Sequence, residues 1–245
     1  MENLVEVKNL EKKYGSKEAV KGISFNIQKN EILGLLGPNG SGKTTTIGMM
    51  LGLLKPTNGE ILIDGKKIEE NRIETLKKIN FISPYIELPK KLTVKQNLIV
   101  YCKLYNVSNI KNRIEYLVEK LRLEDLLSRI TGELSSGQKN RVSLAKALIN
   151  NPTVLFLDEP TASLDPEIGD FVRSFLENYK KDKKISILLA SHNMSEVTRL
   201  CKTVLMMKDG IIIDKGCPNE LIQKHGRKNL EEVFLKLSRS KYELS

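Results

Sequence analysis

Eight residues, Gly37 to Thr44, read GPNGSGKT, and their types and spacing suit them to holding phosphate. Glycines let the backbone curl so that successive N–H groups point at phosphate oxygens, at the positive end of a helix beginning near Gly42. Gly37, Pro38, Asn39, Gly40, Ser41 and Gly42 form the cradle, and Lys43 is placed to bridge the β- and γ-phosphates of a bound nucleotide. The Thr44 hydroxyl is placed to ligate Mg²⁺, and Thr45 would extend the donors toward the α-phosphate. An apolar run before the loop and a helix-like run after it argue against a chance glycine turn. Downstream, Val154 to Leu157 ends in Asp158 and Glu159, so a strand delivers two acids to its end, where α/β sheets bind ligands. Asp158 is suited to hold Mg²⁺ through water. Between these elements Leu134-Ser135-Ser136-Gly137-Gln138 opens a helix running toward Leu148. Ser135, the Gly137 amide and the helix dipole together make a second anion site.

A phosphate loop followed in this order by LSSGQ and a strand ending in Asp-Glu resembles the ATP-binding cassette (ABC) ATPases, over nearly the whole chain. The resemblance implies ATP and Mg²⁺ as cofactors. It also implies Glu159 as the general base that aligns the attacking water, and His192, after the strand Ile185 to Leu189, as the switch that senses the γ-phosphate. Tyr14 matches the adenine-stacking aromatic, with Val20 a weaker candidate for the other face of the base. Ser135, Gly137 and Gln138 would complete the ATP of a partner in a head-to-tail dimer. Asp165 belongs to the nucleotide set through Ser163-Leu164-Asp165, which looks like the loop joining the two sites across the interface. Ser136 replaces the first glycine of the commoner LSGGQ. A larger departure follows the strand Ile79 to Ile82: Pro84 stands where the family carries a glutamine, and Gln96 is too far on, inside the next helix.

The elements that must position these residues follow from periodicity. Val5 to Val7, Ile23 to Ile27, Glu31 to Leu36 and Ile61 to Ile63 read as strands between turn signals. From Thr93 to Leu127 the spacing becomes helical, with Ile114, Leu117, Val118 and Leu121 on one face. Val154 to Leu157 and Ile185 to Leu189 read as parallel strands buried on both faces, with a crossover helix from Pro166 to Tyr179. Leu230, Val233, Phe234 and Leu237 outline a short amphipathic helix at about 229–238. With these elements the resemblance implies an α/β fold: a P-loop NTPase core with a parallel sheet flanked by helices, an N-terminal antiparallel β subdomain, and an α-helical insertion at about 84–150. One ABC ATPase domain is expected over 1–245.

The chain of 245 residues, 40% apolar, supports a real core. No stretch approaches the roughly 20 apolar residues that cross a bilayer, and the start has no signal-like core, so a cytoplasmic location is expected. Cys102, Cys201 and Cys217 have no metal-like spacing. A net charge of +10 favours anionic partners, but the lysines fall in scattered pairs, and His225 has no context beyond a surface position. No specific nucleic acid is expected.

The resemblance implies an ATPase subunit on the inner face of the membrane, joined to a polytopic permease and to a second cassette, identical or not. The ending NLEEVFLKL resembles that of ABC-2 type exporters, and the short chain lacks the regulatory domain of many importer ATPases, so export is the expected direction. Two alternatives stay open. One is a soluble ATPase acting on ribosomes or DNA, against which stand the single cassette and the span of about 115 positions between Lys43 and Asp158, without sustained heptads. The other is a module that binds ATP without hydrolysing it, which the missing glutamine keeps alive.

Overall fold

In the computed structural model, residues 2–84, 86–162 and 164–239 are described. In chain order the elements are β1 (Asn3–Tyr14), β2 (Lys17–Gln28), β3 (Ile32–Leu36), α1 (Lys43–Met50), β4 (Asn58–Ile63), β5 (Lys66–Lys67), α2 (Arg72–Lys78), β6 (Ile79–Ile82), α3 (Val94–Leu104) and α4 (Ile110–Leu121). There follow α5 (Ser136–Leu148), β7 (Val154–Asp158), α6 (Pro166–Lys183), β8 (Ser186–Ser191), α7 (Met194–Leu200), β9 (Thr203–Lys208), β10 (Ile211–Gly216), α8 (Pro218–His225) and α9 (Leu230–Arg239). The chain forms two compact units, one of residues up to Thr75 together with those from Ser186, the other from Leu76 to Ile185.

The first unit holds an antiparallel sheet in the order β2-β1-β4-β5. Val5, Val7 and Leu10 of β1 and Ile23, Phe25 and Ile27 of β2 turn inward, the alternation expected of a half-buried sheet. Both strands run to twelve residues, well past the apolar stretches legible in the sequence, because their outer halves are charged and their pairing register shifts repeatedly. β3 is buried along its whole length and lies parallel between β8 and β9, with β10 antiparallel beyond β9. Complete burial explains why β3 and β8 read as continuous apolar runs rather than alternating ones. Close by, His225 is not a free surface residue: its Nε2 lies 2.6 Å from Asp214 Oδ2 and only 12% of its side chain is exposed. The neighbour that draws it inward is eleven positions away on β10, which local pattern cannot reveal.

In the second unit β6 pairs in parallel with β7, from Ile79 opposite Val154 to Ile82 opposite Leu157. Helices α3 to α6 complete it. Ile114, Leu117, Val118 and Leu121 are the buried residues of α4, each contributing about 1.5–3 kcal/mol through its removal from water. Thr93 caps α3 in a reciprocal box with Gln96, whose Oε1 accepts from the Thr93 N–H at 2.8 Å. Gln96 is therefore committed to its own helix. Arg113 ties α4 to the end of α5 by donating to the Leu148 and Ile149 carbonyls and the Tyr179 hydroxyl.

Candidate nucleotide site

The phosphate loop lies in the first unit. β3 runs into the loop, and Gly37 has no room for a side chain, since an added Cβ would meet the Met207 carbonyl oxygen at 2.3 Å. Gly42 adopts φ +106°, and a Cβ there would meet the Ala19 carbonyl oxygen at 2.6 Å. As the N-cap of α1, Gly42 offers no side-chain acceptor, so the first amides of that helix are not capped from within. Helices α3 to α7, by contrast, carry Thr93, Asn109, Ser135, Asp165 and Asn193 as side-chain caps. An uncapped helix start framed by glycines is an anion site by geometry and dipole.

Lys43 folds back over the loop, its Nζ donating to the Gly37 carbonyl at 2.7 Å and the Pro38 carbonyl at 3.2 Å. Its ammonium is thereby held beside the cradle rather than out in solvent. Thr44 is exposed on the first turn of α1, Thr45 half-buried, and Ser41 is buried with a hydroxyl oxygen that has no partner among the described residues. Tyr14 ends β1 with 48% of its surface exposed and Lys12 Nζ 5.1 Å from its ring centre. Val20 is fully buried, its Cγ2 3.4 Å from the position a Cβ on Gly42 would take, so it supports the loop and offers no face to a base.

His192 is exposed directly after β8. The turn that presents it is fixed by two buried residues the sequence did not single out. Ser191 donates to Glu196 Oε2 at 2.8 Å and accepts from the Asn193 N–H at 3.0 Å, and Glu196 is 1% exposed. A polar pair buried this deeply fixes one arrangement, because any other leaves it unsatisfied.

The second unit carries the acids and the LSSGQ segment. Asp158 is buried at the end of β7. Glu159 follows with φ +52°, a left-handed conformation that costs a non-glycine residue about 1–3 kcal/mol and is held here by the turn from its carbonyl to the Ala162 N–H at 3.2 Å. Ser135 caps α5: its Oγ accepts from the Gln138 N–H at 3.3 Å while Gln138 Oε1 accepts from the Ser135 N–H at 3.0 Å. That box leaves the Ser135 hydroxyl hydrogen able to donate outward, and Gly137 sits on the first turn. Asp165 caps α6, accepting from the Ile168 N–H at 3.0 Å. Ser163 of the Ser163-Leu164-Asp165 loop lies outside the described residues, as does Tyr85 of the segment after β6, a residue expected in the groove that receives the permease.

One link was invisible in the sequence. Asn140, on the second turn of α5, donates from Nδ2 to the Pro160 carbonyl at 2.7 Å, tying the LSSGQ helix to the turn that bears Glu159. Beside it lies a cavity of about 210 Å³ lined among others by Ser83, Pro84, Asn140, Glu159 and Leu164. Pro84 thus stands close to Glu159 with no side-chain group to donate.

The Thr44 hydroxyl in the first unit and the Asp158 carboxylate in the second are each oxygen donors of the kind a hard cation such as Mg²⁺ takes. Among known proteins, the family described as ABC transporter matches residues 20–162. The Nod factor export ATP-binding protein I of Burkholderia orbicola (strain AU 1054) is 36% identical over 236 residues, covering 94% of this chain and 76% of that protein. A structure of the ATP binding subunit of an ABC transporter superposes with a TM-score of 0.88 at 28% identity, covering 96% of this chain and 99% of that one. A dimeric post-hydrolysis state of the ATP-binding cassette MJ0796 bound to ADP and Pi matches with a TM-score of 0.80 at 26% identity, over 87% and 98% of the two chains. The shared fold is a P-loop α/β core, its parallel sheet flanked by helices, with an antiparallel β subdomain.

Proposed function

This chain belongs to the ABC transporter family as an ATP-binding subunit, and on that premise we propose that it hydrolyses ATP to drive export through a separate membrane permease. The observation that carries the reading is an uncapped, glycine-framed helix start with Lys43 folded over it, on the same chain as a buried Asp158 followed by a conformationally held Glu159. Backbone amides of the loop and the Lys43 ammonium bind the phosphates, Tyr14 stacks on the adenine, and His192 contacts the γ-phosphate from its fixed turn. Glu159 accepts the proton of the attacking water. Thr44 and, through water, Asp158 would hold Mg²⁺, which would supply charge neutralisation at the phosphates.

Ser135 and the Gly137 amide face the ATP of a second cassette, so two subunits close head to tail around two nucleotides. The resemblance to a dimeric cassette bound to ADP and Pi supports this arrangement. The Asn140 bond gives closure a direct physical route to the catalytic turn. The groove between the segment after β6 and helices α3 and α5 receives the permease. Among the described residues no helix is long and apolar enough to cross a membrane. Export follows the relative's name, and the exported molecule is not carried over from it.

The test is affinity purification from detergent-solubilised membranes, with ATP and Glu159→Gln to hold the closed state, and mass spectrometry of the co-purifying chains. A polytopic membrane protein is expected; ribosomes, DNA or nothing would remove the transporter reading.

Pro84 favours a second reading, a cassette that binds without hydrolysing. We expect instead that the natural protein turns over ATP, with Ser83, Glu87 or water in place of the missing amide. Comparing phosphate release by the parent and by Pro84→Gln decides the matter: an inactive parent rescued by glutamine would establish the second reading.

A further inference from the structure

Lys146, in the last turns of α5, is a largely buried cation without a carboxylate partner among the described residues. Its Nζ lies 3.3 Å from Asn80 Oδ1 and 3.4 Å from the Phe81 carbonyl oxygen, both long for hydrogen bonds. Two aromatic rings lie beside it, with the Phe81 centroid at 4.7 Å and that of Tyr101 at 5.5 Å. Neutral dipoles and aromatic quadrupoles compensate a desolvated ammonium only in part, and burial pushes its pKa down to about 8.

The ammonium lines a small cavity under the segment after β6, walled by Ile82, Ile86, Leu88 and Tyr101. Ile82, Ile86 and Leu88 also line the larger cavity that reaches Glu159, so the two form one groove. Its wall is partly open at Ile86, which is 49% exposed, and α3, which supplies Tyr101, also exposes Val100 (39%) and Leu104 (70%). The one carboxylate on the small cavity's wall, Glu87, is paired outward with Lys90 at 2.6 Å, both side chains being 60% exposed.

We propose that this groove takes an apolar segment of the membrane permease that carries one Asp or Glu, and that this acid pairs with Lys146. The inference rests on the transporter reading above and adds to it the chemistry by which the permease is chosen. A carboxylate arriving in this desolvated floor gains a charge-assisted hydrogen bond and relieves an uncompensated charge. An apolar side chain there leaves the cation buried, and a Lys or Arg adds repulsion. Lys146 is thus a specificity residue, rejecting permeases that lack the acid.

The experiment compares the full chain with Lys146→Met and Lys146→Arg, each tagged, expressed in its native membranes and purified in detergent, with retained ATP binding as the check on folding. Lys146→Met should recover at least about ten-fold less permease than the parent, and Lys146→Arg should recover near-parental amounts. A second measurement needs no variant: zero-length carbodiimide coupling of the parental complex, read by peptide mass spectrometry. It should give an amide between the Lys146 Nζ and an Asp or Glu of the permease. Equal permease recovery by Lys146→Met, a coupling of Lys146 only to Glu87 of its own chain, or no coupling at Lys146 in a permease-containing complex would each overturn the pairing while leaving the transporter reading intact. A parent that brings down no membrane protein removes both.

Discussion

Glu159→Gln is expected to bind ATP as the parent does and to release phosphate about 10²- to 10⁴-fold more slowly, the range lost when a general base is removed. The amide keeps the side chain's volume, so the left-handed turn at φ +52° and the Ala162 bond that holds it should survive. What disappears is the capacity to accept a proton from the attacking water, together with a negative charge facing the γ-phosphate. Hydrolysis slows while the closed dimer becomes longer-lived. Both effects are read in one preparation, by phosphate release and by gel filtration with ATP, where the variant should elute as a dimer. Parental turnover in Glu159→Gln would show that another group takes the proton, and the base would have to be sought elsewhere around the same cavity.

Lys43→Ala acts earlier in the cycle. In the protein alone its ammonium rests on the Gly37 and Pro38 carbonyls, so it is held over the cradle before nucleotide arrives and loses little side-chain freedom on binding. Hydrogen bonds from a charged donor contribute about 1.5–3 kcal/mol, and losing them at the β- and γ-phosphates predicts roughly 10- to 150-fold weaker ATP binding. Affinity for adenosine, which stacks without phosphates, should hardly change. Titration with a fluorescent ATP analogue, competed by ATP or adenosine, separates the two. Equal affinity of parent and variant for ATP would mean that Lys43 serves the loop's own carbonyls and not the phosphates.

Much of the fold could be read from periodicity alone. The buried face of α4, the fully buried strands β3, β7 and β8 and the amphipathic α9 all follow from which residues are apolar and how they repeat. The hairpin of β9 and β10 and the helix α8 were not anticipated. Ile211 to Gly216 is half-buried except for the exposed Lys215, with neither clean alternation nor a continuous apolar run to mark it. It is held by pairing with β9, a tertiary fact.

The sequence by itself determined which residue types stand where phosphate and its counter-charges could be handled. A phosphate cradle requires glycines at fixed places and a lysine just after them, and these are demands on neighbouring residues that the chain must satisfy locally. The acids at the end of β7 and the serine cap of LSSGQ are local in the same sense. Only the tertiary structure decided what those groups lean on. The Ser191–Glu196 pair beneath His192 required the turn into α7, and the bond from Asn140 to the Pro160 carbonyl spans twenty positions. Val20 was withdrawn from the base by its packing against Gly42, and His225 was drawn inward by Asp214. Lys146 looks like any helix-surface lysine until Phe81 and Tyr101 close over it. The physical reason is common to all of them. Burial and partner choice depend on contacts between segments distant along the chain, and a residue's type states what it can do without stating what it will meet.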